Sequence, residues 1–176
     1  MKIIKILVVI FIACSFKTFA QAPTGINWMS ISEAEKLAKE NPKKILVDVY
    51  TDWCGWCKRL DATTYKDPKI VEYINKNFYA VKFNAEAKED ITFKGSKYSY
   101  DAGRRVNGLS AIMMGNSTGY PTTTFLGENL DVLSNIPGYQ NTEMMNNILH
   151  FFGDGAYLKM TWDQYLSSLS KTSEHD

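Results

Sequence analysis

"VYTDWCGWCKRL", Val49 to Leu60, places two cysteines two residues apart, directly after an apolar run and at the head of a segment of good helix formers. A pair at that spacing is a working dithiol, a metal clip or a structural staple. A bridge across two residues closes too small a loop to restrict the unfolded chain much, which weakens the staple. Structural zinc needs about four ligands, and the two histidines, His150 and His175, stand at no favourable spacing to the pair. His150 reads as an ordinary helix residue and His175 as part of a polar tail. No metal is expected, and the dithiol is the strongest reading.

The thiolate, not the thiol, attacks disulfides, and a free cysteine with a pKa near about 8.5 is mostly protonated at neutral pH. Here "KKILVDVYT" is β-branched and apolar from Ile45 to Tyr50, the pattern of a buried central strand, broken by the single acid Asp48. A helix starting just beyond that strand offers its unpaired N–H groups and the positive end of its dipole to a Cys54 anion, and Lys58 adds a little. Cys57, one turn along, is placed to attack the first sulfur of a mixed disulfide. Cys54 therefore reads as the nucleophile and Cys57 as the resolving thiol. Asp48 is the candidate acceptor for the Cys57 proton, its pKa raised by desolvation; the alternative is an inert, hydrogen-bonded acid at a strand edge.

Outward from this segment, "SISEAEKLAKEN" carries a capping-box pattern, Ser32 with Glu35, and predicts the first helix. Beyond the cysteines a helix runs to about Tyr65, and Asp67-Pro68 restarts another, with Asp67 as cap and Ile70, Val71, Ile74 and Phe78 on its apolar face. "FYAVKFN" is the next strand. Residues 85–119 form a polar and aromatic stretch too long for a plain connection, helical only over about Asn107 to Met114. "TTTFL" and "DVLSNI" around "GEN" predict an antiparallel hairpin. Thr142 to Phe152 is a helix ending at Gly153, and Thr161 with Gln164 opens a short last one. This order predicts an α/β domain with helices on both sheet faces.

The chain has 176 residues, 45% of them hydrophobic, which suits one domain with a sizeable core. "MKIIKILVVIFIACSFKTFA" has a basic start, an apolar stretch from Ile6 to Ala13 and small residues near Ala20, a secretory signal pattern over residues 1–20. "FIAC" offers a weaker alternative, a lipid anchor on Cys14. Cleavage after Ala20 changes the balance from 20 basic and 19 acidic residues to 17 and 19, a net charge of −2. Nothing in that balance favours nucleic acid. The mature chain keeps Cys54 and Cys57, and an exported chain with one close pair is not a disulfide-stapled scaffold.

Three separated segments resemble the thioredoxin superfamily. "ILVDVYTDWCGWCK" resembles its strand, tryptophan and CxxC segment, with Asp48 six residues before Cys54 like the family's buried aspartate. "AVKFNAE" is similar to the following strand, where Lys82 matches the lysine that pairs with that aspartate, and "GYPTTTFL" resembles the cis-proline segment, which implies a cis bond between Tyr120 and Pro121. The resemblance covers about residues 28–152, leaving 153–176 as a helical extension. With the split helix and the signal pattern, the chain resembles exported thioredoxin-like proteins, including the C-terminal domain of the membrane thiol:disulfide interchange reductase, more than cytosolic thioredoxin.

It implies a thioredoxin fold with a central mixed sheet and an insertion before the cis-proline strand. It also implies a surface Cys54 and a substrate groove of Trp53, Gly55, Trp56, Tyr120 and Pro121. Trp56 stands where thioredoxin's CGPC has proline, and reads equally as a docking platform or as a ring packed on the neighbouring loop. "KYSYDAGRR", with Tyr98, Tyr100, Arg104 and Arg105, is a partner-binding or self-packed loop.

The expected function is an exported, periplasmic thiol:disulfide oxidoreductase acting on protein or peptide disulfides. It needs no cofactor beyond its own redox-active disulfide, and a membrane electron-supplying reductase recharges it. The reducing direction is favoured because Asp48 and Lys82 match the reducing branch and the Gly-Trp between the cysteines lacks the histidine of strongly oxidising relatives. The alternatives are a disulfide oxidase or isomerase, or a binding or assembly module that keeps the fold without redox turnover.

Overall fold

The computed structural model describes residues 24–172. The expected signal segment, Cys14 and His175 lie outside them. Along the chain run β1 (Trp28–Met29), α1 (Ile31–Glu40), β2 (Ile45–Tyr50), α2 (Gly55–Ala62), α3 (Pro68–Asn77) and β3 (Tyr79–Asn84). The insertion holds β4 (Ile91–Phe93), β5 (Ser96–Tyr98), β6 (Tyr100–Asp101), β7 (Val106–Asn107) and α4 (Leu109–Met114). β8 (Thr122–Leu126), β9 (Val132–Pro137), α5 (Thr142–Gly153) and α6 (Trp162–Thr172) complete it. The main sheet has the order β1-β3-β2-β8-β9, with β2 parallel to β3 and antiparallel to β8.

β2 lies at the centre, which is why it reads as a nearly continuous apolar run. Its alternation divides two cores. Ile45, Val47 and Val49 face α1 and α4, with Ala34, Ala38, Leu109 and Met113 against them. Leu46 faces the other way, with Leu60 of α2, Ile70 and Ile74 of α3 and Met145 and Leu149 of α5. Phe125 of β8 stacks on Phe152 at 4.4 Å between ring centres, closing this second core. Helices thus cover both faces.

Local signals decide most helix ends. Asp67 Oδ1 accepts from the backbone N–H groups of Lys69 and Ile70, at 2.9 and 3.3 Å, and Pro68 occupies the first turn. Thr161 and Gln164 form the reciprocal box, at 3.0 and 3.3 Å. The first helix departs from expectation: Ser30, not Ser32, caps it, accepting from Glu33 N–H at 3.2 Å. The physical reason lies in the insertion. The buried Glu35 carboxylate accepts from Lys94 N–H at 3.1 Å, and Ser32 Oγ donates to the Thr92 carbonyl at 3.3 Å, so both residues of the expected box hold the β4–β5 hairpin instead.

The insertion is a folded unit. Lys94 and Gly95 both have positive φ, 50° and 75°, forming the two-residue turn that hairpin twist favours. The buried Asn107, expected to begin the helix, lies in β7 before it: its side-chain carbonyl accepts from Leu109 N–H at 3.0 Å, and its amide donates to the carbonyls of Glu89 at 3.0 Å and Ala87 at 3.3 Å. The helix consequently starts at Leu109. Replacing Asn107 with alanine strands these carbonyls in a buried site. The expected result in urea denaturation is a loss of about 1–3 kcal/mol relative to the parent protein.

Candidate active site

β2 ends at Tyr50, and a short turn, in which Cys54 N–H donates to the Thr51 carbonyl at 3.1 Å, delivers the chain to α2. Cys54 is the N-cap of that helix. Its sulfur accepts from Cys57 N–H at 3.0 Å, the place usually filled by a serine or aspartate oxygen. Cys54 and Cys57 are joined by a disulfide. Both are buried, Cys54 at 4% exposure, which corrects the implied surface position. The exposure belongs instead to the neighbouring rings, Trp53 at 66% and Trp56 at 57%.

Those rings are individually braced. Trp53 donates from Nε1 to Glu86 Oε1 at 3.1 Å and meets Tyr120 edge-on at 5.8 Å. Trp56 lies 5.6 Å from the Tyr139 ring, and the Arg59 guanidinium stands 5.6 Å from both. Trp56 is therefore both exposed and packed on the neighbouring loop. The Tyr120–Pro121 peptide is cis, with Pro121 buried at the start of β8. Gly55 opens α2, and an added Cβ there would meet nothing within 4 Å.

Beneath α2 sits a charged cluster. Asp48 is fully buried, and its register partners on the same sheet face are Lys82 on β3 and Thr123 on β8. The Lys82 ammonium donates to Asp48 Oδ2 and to Asp61 Oδ1 of α2. Asp61 follows Cys57 by four residues, hence on the same helix face. Three rings surround the ammonium, those of Tyr50, Trp28 and Tyr65, at 5.1, 5.2 and 5.5 Å. Asp48 Oδ1 has no hydrogen-bond partner among the described residues.

Burial pushes the Asp48 carboxyl up to about 6, against the opposing pull of Lys82. Burial works to lower the Lys82 ammonium, but Asp48 and Asp61 outweigh it and hold the group above its ordinary value. Asp61, Trp28, Tyr50 and Tyr65 were not expected at this site. For Asp61 a signal exists, the four-residue step from Cys57; the rings are brought in by three different elements. Among the described residues no group of three or more His, Cys, Asp or Glu could hold a metal ion. Of the "KYSYDAGRR" segment, Tyr98 packs against the first core, and Tyr100 and Arg105 line a cleft beside Trp53.

A raised acid costs stability where it must ionise. Below about pH 4 Asp48 is protonated in both folded and unfolded chains; between about 4 and 6 the unfolded chain releases the proton first, so stability falls as pH rises through that window. Asp48→Asn should therefore be more stable than the parent at pH 7.5 by about 1–3 kcal/mol, with the gap closing toward pH 4. Thermal denaturation across pH measures it.

Comparison with known proteins fits this geometry. The sequence profile of the thioredoxin-like domain matches residues 31–153. The thiol:disulfide interchange protein DsbD of Salmonella typhi is 34% identical over 59 residues, 31% of this chain and 10% of that protein. The chain spans about a fifth of the first curated relative it matches and a tenth of the interchange protein. A Bacteroides thetaiotaomicron protein, described as a candidate disulphide-isomerase, superposes with a TM-score of 0.53 and 28% identity, over 74% of this chain and 95% of that one. A thioredoxin-fold protein from Helicobacter pylori gives 0.55 at 19% identity, over 75% and 82%. A match spanning both core faces and the cysteine pair makes this chain a member of the thioredoxin-like domain family.

Proposed function

We propose that the protein is a thiol:disulfide oxidoreductase that reduces protein or peptide disulfides through Cys54 and Cys57. The observation that carries the reading is a bonded cysteine pair at a helix N-terminus, over a buried carboxylate held near the working pH range. In the reduced protein the Cys57 N–H and the α2 dipole favour the Cys54 thiolate. That thiolate attacks one substrate sulfur; the substrate S–S bond breaks and the other sulfur leaves as a thiolate. Cys57 passes its proton to Asp48 and attacks the Cys54 sulfur, which closes the internal disulfide and expels the second substrate thiolate. Two electrons move from the dithiol to the substrate.

Lys82 is the charged partner of Asp48 and is shared with Asp61. The substrate lies along Trp53, Gly55, Trp56, Tyr120 and Pro121, where the proline's missing N–H leaves the preceding backbone to an extended peptide. No organic cofactor or metal takes part. The match to the interchange protein supports an exported, periplasmic setting and a membrane reductase as electron source. A second reading, a binding module without turnover, is favoured by the near-complete burial of Cys54.

Insulin-disulfide reduction separates the two. The parent protein should turn over, Cys54→Ser should lose activity outright, and Cys57→Ala should accumulate mixed disulfides; an inert parent whose Cys57→Ala variant traps nothing leaves the binding module. Asp48→Asn should slow release of the mixed disulfide by at least about tenfold at pH 7. Equilibration with glutathione reports direction. A potential in the reducing range, below about −230 mV, is expected, and one near about −120 mV overturns the reductase assignment.

A further inference from the structure

The insertion forms one wall of a cleft that reaches Trp53, the residue before Cys54. A cleft of about 870 Å3 opens between the carboxyl ends of β2 and β3 and the insertion, within the size range of small-ligand sites. Its lining is charged. Asp52, Glu86 and Glu89 bring carboxylates, and Lys88 and Arg105 bring cations. Among the described residues neither cation has a carboxylate at ion-pair distance. The Lys88 ammonium lies over the Tyr100 ring at 3.6 Å, and Arg105 is exposed. Trp53, which precedes Cys54 in the chain and is held by Glu86, also lines the cleft and so joins it to the disulfide.

Charges of both signs that do not neutralise one another are available to a ligand that carries both. A purely anionic or cationic ligand is attracted by one set and repelled by the other, whereas a zwitterion with its carboxylate toward Lys88 and Arg105 and its ammonium toward the acids is attracted at both ends. We infer that this cleft binds the zwitterionic end of a low-molecular-mass disulfide, that of an amino acid or short peptide, and presents its sulfurs to Cys54. The inference rests on the dithiol reading above. The Cys54 thiolate attacks one sulfur of the small disulfide, whose S–S bond breaks, and the departing thiolate takes a proton from water. Cys57 then closes the internal disulfide, its proton going to Asp48, and releases the second thiolate. The second thiolate takes up the proton that Asp48 releases, so the dithiol loses two electrons and the small disulfide gains them as two thiols.

Single-turnover oxidation of the pre-reduced full chain tests this, with tryptophan fluorescence as the signal. The probes are glutathione disulfide, each half of which carries a zwitterionic γ-glutamyl end and one further carboxylate, and 2-hydroxyethyl disulfide, which is uncharged. With glutathione disulfide the rate should saturate, and the double variant Lys88→Gln/Arg105→Gln should lower it about fivefold or more. Glu89→Gln should lower it as well, and added salt should act in the same direction. The rate with the uncharged probe should stay within about twofold throughout, which also reports that the variants fold. A linear, salt-independent rate with glutathione disulfide, or an equal slowing of both probes, overturns the inference. If insulin is still reduced in that case, the oxidoreductase reading stands without it; failure with insulin and both probes removes both.

Discussion

The junction where β2 stops and α2 starts is the constraint from which the site follows. β2 is covered on both faces and paired on both edges, so its direction is not adjustable. The chain leaving it has one short turn before the first helical N–H groups need acceptors. Cys54 occupies that position, and a sulfur meets the Cys57 N–H where an oxygen ordinarily would. In the proposed function, the atom that caps the helix is also the one that attacks the substrate. The same bond that orders the backbone also favours negative charge on the sulfur.

Below this junction the energetics run against the charges. A fully buried carboxylate is costly, and one lysine partner does not cancel the cost: burial still dominates the Asp48 pKa. The Lys82 ammonium is shared between Asp48 and Asp61 inside a cage of Trp28, Tyr50 and Tyr65, so the cluster is neutral with Asp48 protonated and carries one negative charge with Asp48 ionised. Lys82 thereby ties the sheet to α2, so a change in the charge of Asp48 is felt on the helix that carries both cysteines. A costly buried carboxylate of this kind is what the proposed proton acceptor for Cys57 requires.

The insertion is integrated with the domain rather than draped over it. Glu35 of α1 accepts from its backbone, Asn107 gathers its carbonyls, and Ser110 Oγ donates to Ala85 at 2.9 Å where β3 ends. These bonds hold Lys88, Glu89 and Arg105 around a cleft with Trp53, while Ile91, Phe93, Leu109 and Met113 of the insertion join the first core.

Much of the frame was legible in the residues. Ile45 to Tyr50 reads as a central strand because burial on both faces requires an unbroken apolar run, and Asp67-Pro68 reads as a helix start because its cap and fixed φ are local. The cysteine pair, Asp48 and Lys82 followed from spacing and resemblance. Ser32 and Glu35 mislead for the converse reason: a capping box is a local preference, and a distant backbone N–H, that of Lys94, competed for the same carboxylate and won. The burial of Cys54, the sharing of Lys82 with Asp61, the aromatic cage and the mixed-charge cleft are products of tertiary structure. Each joins residues from separate elements, and no periodicity along one segment encodes which distant side chain will arrive beside it.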